Sequence, residues 1–177
     1  MIRKIIVVLF SFCTLCSLIS MAAVPAEASS VNTKYEIRLT RGGTTKVEGH
    51  FDDNLEKQMV DMLNDYRRKN GLPALKVKKA LEKAADKRAE ESSYLFSHIR
   101  PNGKNWSTVS AFTRGENLAS GNNSIQSQLD LWKRSMSHRA NLLKKDFKTV
   151  GVSCFWRRYR SKLGKTYYLR YTVIEFG

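Results

Sequence analysis

The stretch Tyr167-Tyr168-Leu169-Arg170-Tyr171-Thr172-Val173-Ile174-Glu175-Phe176, near the end of the 177-residue chain, decides the fold. Both alternate sets of side chains are apolar or aromatic: Tyr167, Leu169, Tyr171 and Val173 on one side, Tyr168, Ile174 and Phe176 on the other. A strand half exposed to water alternates apolar with polar, so a strand covered on both sides belongs in the middle of a layered structure. The preceding run Val150 to Trp156 does alternate, and Cys154 within it reads as a buried structural thiol. Arg157-Arg158-Tyr159-Arg160-Ser161-Lys162-Leu163-Gly164-Lys165 joins the two runs as a hairpin loop with a basic tip.

Upstream, the period becomes helical. Phe51, Leu55, Met59, Met62 and Tyr66 fall on one stripe, with Asp53 and Glu56 resembling a capping box and Asn70-Gly71 before Pro73 as the stop. A second helix runs from about Lys79 to Phe96; its alanine-rich face (Ala84, Ala85, Ala89) predicts close packing of backbones. Ser124 opens a third helix carrying Ile125, Leu129, Trp132 and Met136 on one face, and Ser137 caps a short fourth over His138 to Leu143. The stretch from Pro101 to Asn123 reads as a long, mostly irregular connection, a type of segment that often carries function. Near the start, Tyr35 to Thr40 and Thr44 to Val47 flank Arg41-Gly42-Gly43 as a candidate hairpin. Helices first and an antiparallel pair last make the fold class α+β.

Composition narrows the function classes. Apolar residues at 42% exclude a wholly disordered chain, and a single long apolar run excludes a polytopic membrane protein. That run, Ile5 to Met21, follows Arg3 and Lys4 and precedes Ala26-Glu27-Ala28, the pattern of a cleaved signal peptide. The expected organisation is therefore a signal peptide over 1–28, an N-terminal extension over 29–50 and one domain over 51–177. This implies a secreted protein, with a membrane anchor through an uncleaved leader as the alternative. Cleavage would remove Cys13 and Cys16 and leave Cys154, so stability must come from the core rather than from a disulfide. A formal charge of +15 favours anionic membrane or cell-wall polymers as partners, and Arg157, Arg158, Arg160, Lys162 and Lys165 form the candidate anionic-surface site. Nucleic acid is disfavoured, because no nucleic-acid fold signature accompanies the charge. The expected state is a monomer.

Three side chains at element ends or in loops carry the candidate chemistry: His98, Glu116 and His138. Two imidazoles and a carboxylate suit zinc, with an open fourth position, and also suit ferrous iron. The spacing matches no local metal motif, so spacing alone favours helix capping or loop hydrogen bonding for these residues over a metal site. His50 lies outside these segments and reads as an exposed or turn histidine.

The segments Ser97-His98-x-Arg100-Pro101-x-Gly103, Gly115-Glu116-Asn117-Leu118-Ala119, Trp132-x-x-Ser135-x-x-His138-Arg139-Ala140-Asn141-Leu142-Leu143, Val150-Gly151-Val152 and Glu175-Phe176-Gly177 occur in this order. Together they resemble the bacterial branch of the CAP superfamily, which groups cysteine-rich secretory proteins, insect-venom antigen 5 and plant pathogenesis-related 1 proteins. The resemblance extends from about Leu55 to Gly177. It implies a three-layer α-β-α sandwich with a central antiparallel sheet and an open cleft. It also implies a ligand cleft formed by His98, Glu116, Asn117, Ser135 and His138, with His98, Glu116 and His138 as metal ligands for zinc. Ser135 stands where a fourth, acidic ligand is frequent in the family. The implied function is a non-catalytic binding module for a small apolar ligand (lipid or sterol), an envelope component or a secreted partner. The alternative is a metal-assisted hydrolase, peptidase or esterase, in which Glu116, His98 and His138 would be catalytic.

Overall fold

The computed structural model describes residues 31–177; the expected signal peptide lies outside them. Strands β1 (Thr33–Arg38), β2 (Thr44–Phe51), β3 (Lys76–Val77), β4 (Gly115–Ser120), β5 (Thr149–Arg160) and β6 (Thr166–Phe176) form one sheet. Its order is β1-β2-β5-β6-β4, with antiparallel neighbours, and β3 adds a short parallel pairing to β5. Helices α1 (Asp53–Lys69), α2 (Lys79–Tyr94), α3 (Ile125–Arg134) and α4 (Met136–Leu142) complete the chain.

The pleat explains the three layers. Val150, Val152 and Cys154 of β5, with Ile174 and Phe176 of β6, point to one face, where Met59 and Leu63 of α1 and Leu129 and Trp132 of α3 cover them. Phe155 and Val173 point to the opposite face and meet Ala85 and Ala89 of α2, together with Ile37, Val47 and Leu118. Each fully buried large apolar side chain contributes roughly 1.5–3 kcal/mol, so β6 is anchored from both sides. The alanine face of α2 lets its backbone press onto the sheet. At Gly151 a Cβ would overlap the Leu81 carbonyl carbon and the Glu82 amide nitrogen.

Several local expectations are corrected. The cap of α1 is Asp52, whose side chain accepts from Leu55 N, rather than Asp53. Phe51 ends β2 and is not on the helical stripe; Leu63 takes its place in the core. Glu56 is turned away from a capping box and accepts instead from Cys154 N at 3.0 Å. The stretch read as irregular contains β4, which escapes a period-based reading because Gly115, Glu116, Asn117 and Leu118 are all buried, polar or not. Met136 is 82% exposed and belongs to the first turn of α4, which Ser135 precedes, so Ser137 lies inside that helix. The basic loop is shorter than expected, because the strands continue to Arg160 and resume at Thr166. His50 is buried in β2, with Nδ1 3.2 Å from Asn32 Oδ1 and its ring edge-on to Tyr168, rather than exposed. The β1–β2 hairpin forms, and Gly49 to Phe51 pair with Phe155 to Arg157, which joins it to the main sheet.

Cys154 is fully buried, and burial first, then the Glu56 charge, push its thiol up to about 12. Among the described residues, no helix is long and apolar enough to cross a membrane.

Two outcomes follow. Gly151→Ala, which drives a methyl group into the backbone of α2, lowers stability by about 2–3 kcal/mol in urea unfolding; an unchanged midpoint contradicts the close approach. Burial raises the Glu56 carboxyl to about 8 from its ordinary value of 4.5, so the folded state holds a proton that the unfolded state releases. That contribution is present near pH 4.5 and is lost as pH rises towards 8. Glu56→Gln keeps the acceptor for Cys154 N, and its stability relative to the parent rises between about pH 5 and pH 8; a constant difference contradicts the assignment.

Candidate functional site

The site is built on a charge buried in α2. Arg88 sits on the same helical stripe as Ala85 and Ala89 and has no exposed surface. Its Nε donates to Glu116 Oε2 at 2.6 Å and its Nη2 to Glu116 Oε1 at 3.3 Å and Ser97 O at 2.7 Å. Its Nη1 donates to Glu91 Oε2 at 2.9 Å, and Glu91 also accepts from Arg100 Nε and Nη2. Two guanidinium groups and two carboxylates thus link α2, the loop after it and β4. Truncating one partner of such a pair is costly, because the other charge is left buried and unpaired.

His98 completes the arrangement from the loop, with Nδ1 2.7 Å from Glu116 Oε1. Burial alone would raise the Glu116 carboxyl, but the hydrogen bonds from His98 and Arg88 and the Arg88 charge outweigh it and hold the group below its usual range. An ionised carboxylate only accepts, so His98 Nδ1 carries a proton and donates it to Glu116 Oε1. The His98 side chain is 52% exposed. Glu175 stands opposite Glu116 in the β4–β6 register. Burial first, and the Glu116 charge second, raise its carboxyl well above the ordinary range, so the adjacent pair carries one negative charge.

His138 comes from α4. Asn141 Nδ2 donates to Glu116 O at 3.1 Å and to Asn117 Oδ1 at 3.0 Å, while Asn117 Nδ2 donates to His138 O at 3.2 Å. These bonds fix α4 against β4 and bring His138 to the cleft that His98 lines. Burial, then the His98 charge, lower the His138 pKa below its usual value. The cleft is an open hollow of about 330 Å³, and His98, Trp106, Arg114, Glu116, Ser137 and His138 are among its walls.

His98, Glu116 and His138 therefore meet at one cleft. Asn117 and Ser135, expected beside them, do not line it: Asn117 is buried beneath, and Ser135 flanks α4 with its Oγ 3.3 Å from Ser137 Oγ. The residues do not fit the three-donor metal centre. Among the described residues, no group of three or more His, Cys, Asp or Glu side chains is placed to hold a metal ion. The physical reason is Glu116: its oxygens already receive Arg88 and His98, and a divalent ion there would face a buried guanidinium. Arg114 adds a second positive charge at the wall, and Ser135 supplies no anion. The described residues thus lend the zinc or ferrous-iron expectation no support.

Among the described residues, neither His98 nor His138 is hydrogen-bonded to a hydroxyl or thiol nucleophile. Ser97 Oγ accepts from Ile99 N, and Ser137 Oγ pairs with Ser135 Oγ. The sequence reading missed Arg88, Trp106, Arg114 and Asn141. Arg88 did leave a signal, a charged residue one position before Ala89 on a face otherwise made of small apolar residues.

A model of the family described as CAP, the cysteine-rich secretory protein family, matches residues 60–174. The protein YkwD of Bacillus subtilis (strain 168) is 29% identical over 136 residues, covering 72% of this chain and 49% of that protein. The chain thus spans about half the length of this curated relative. An outer surface protein from Borrelia burgdorferi superposes with a TM-score of 0.56 at 22% identity, covering 73% of this chain and 97% of that one. An extracellular protein containing a SCP domain, from Bacillus anthracis str. Ames, gives 0.55 at 22% identity, covering 70% and 41%. At these identities the two structures establish the fold alone, and it is the α+β sandwich described above.

Arg88→Met strands Glu116 and Glu91 without their shared counter-charge and costs about 3–5 kcal/mol in chemical denaturation, with partial recovery when Glu116→Gln is added. A loss below about 1 kcal/mol contradicts the role given to the ion pair.

Proposed function

We propose that this chain, which belongs to the cysteine-rich secretory protein (CAP) family, is a secreted binding module whose cleft takes an acidic, polar component of a cell envelope. One observation carries the reading. The cleft presents Arg114, two imidazoles, an indole and an asparagine, while its own carboxylate is neutralised from behind by Arg88. Such a wall is net positive and rich in donors, which suits a carboxylate or phosphate on a sugar or short polymer. A sterol or acyl chain placed there would bury these polar groups without partners, at roughly 1–3 kcal/mol each. The envelope reading is thereby favoured over the apolar-ligand reading.

Secretion rests on the leader pattern Arg3 to Ala28 and on the company the chain keeps, a relative called an outer surface protein and another called extracellular. The hydrolytic alternative retains one support, the 2.7 Å bond through which Glu116 orients His98 as a base. Binding is favoured over it because neither histidine is hydrogen-bonded to a hydroxyl or thiol nucleophile.

Titration followed through the histidine ring signals in NMR tests the proposal, with N-acetylmuramic acid, glycerol phosphate and cholesterol as probes. Saturable shifts of His98 and His138 are expected with the two acids and none with cholesterol. Arg114→Ala, at an exposed position, weakens acid binding about fivefold or more. Saturable cholesterol binding, or silence towards all three probes, overturns it.

A further inference from the structure

A second surface, which shares no lining residue with the cleft, stands out by its chemistry. From Trp156 to Arg170 the chain carries six basic residues (Arg157, Arg158, Arg160, Lys162, Lys165, Arg170) and no acidic one. The structure sorts them. Arg170 is buried over the Trp156 ring, Arg158 pairs with Glu48 at 2.8 Å, and Arg157 lies over the Tyr159 ring and donates to Ser93 O. Arg160, Lys162 and Lys165 are exposed at the turn between β5 and β6, with no acidic partner among the described residues.

The same hairpin carries an aromatic ladder. Phe96, just past the end of α2, packs against Tyr171 with ring centroids 6.4 Å apart. Tyr171 Oη is 2.7 Å from Tyr159 Oη, and Tyr159 stacks on Tyr167 at 5.2 Å. The ladder runs unbroken from the end of α2 to the basic turn, where Leu163 is 88% exposed. Phe96 and Tyr167 are each 53% exposed, and Tyr94 and Leu95 stand exposed beside Phe96. Large apolar side chains are thus held in water along a surface bordered by cations, a combination that a polar polymer does not reward. An anionic bilayer rewards both halves, because headgroups meet the Lys and Arg side chains while leucine and aromatic rings enter the interface.

We infer that the β5–β6 turn and the residues that follow α2 form a docking surface for an anionic phospholipid bilayer. Lys162, Lys165 and Arg160 supply the attraction, and Leu163, Phe96, Leu95 and Tyr167 supply the insertion. None of these residues lines the His98 cleft, so the inference does not rest on the cleft taking an acidic ligand.

Flotation of the protein, as recovered from a secreting culture, with vesicles of phosphatidylcholine alone or mixed with phosphatidylglycerol tests this. Binding is expected to the mixed vesicles only and to fall steeply as salt rises from about 0.05 to 0.5 M. Arg160→Gln combined with Lys162→Gln and Lys165→Gln weakens partitioning about 100-fold, at about fivefold per cation. Leu163→Ser with Phe96→Ser, which leaves the charge unchanged, weakens it about tenfold while leaving binding to a soluble polyanion such as heparin intact. All five positions are exposed, so unchanged thermal melting controls for folding. Equal binding to neutral and mixed vesicles overturns the inference. So does either variant binding the mixed vesicles as the parent does, or preference for a soluble polyanion that ignores Leu163 and Phe96.

Discussion

The guanidinium of Arg88, buried without exposed surface and shared between Glu116 and Glu91, is the constraint on which the site depends. It holds an ionised carboxylate at the floor of the cleft, which no water reaches. With Glu116 ionised, Glu175 beside it stays neutral and His98 is turned so that its Nδ1 proton points inward. The same carboxylate residue reaches α4 through its backbone: Glu116 O receives Asn141, and Asn141 and Asn117 fix the helix that carries His138. One ion pair therefore sets the geometry of two elements that are distant in sequence.

This constraint also decides what the cleft can hold. A carboxylate whose oxygens accept from a guanidinium and an imidazole has little left for a cation, and the positive charges of Arg88 and Arg114 oppose one. The three residue types that suggest a metal centre in the sequence instead make a polar, electropositive wall with an oriented imidazole. The change of reading follows from Arg88, a residue 28 positions from Glu116 in the chain and in a different element.

Much of the fold was legible. The two-sided apolar pattern of Tyr167 to Phe176 predicted a strand covered on both faces, as β6 is, and the alanines at 84, 85 and 89 announced the close approach that Gly151 permits. What escaped were features whose cause is tertiary. β4 is buried at every position from Gly115 to Leu118 yet contains Glu116 and Asn117, so no alternation marks it as a strand. His50 looked like a turn residue because its cover, Tyr168 and Asn32, comes from elsewhere in the chain. The candidate triad was found through motifs, but the partner that determines its chemistry was not, because a charge on the alanine face of α2 marks Arg88 as unusual without showing which carboxylate, 28 positions away, it meets. The basic hairpin was visible as charge; that its aromatics form a ladder ending at Phe96 depends on the packing of α2.

The most direct test of the central claim is an anomalous-scattering map from crystals of the protein soaked in zinc. The account predicts no zinc within about 2.2 Å of either Glu116 oxygen, with the Arg88 and His98 bonds to that carboxylate intact. A zinc peak at coordination distance from Glu116, His98 and His138 together, with Arg88 displaced, would contradict it.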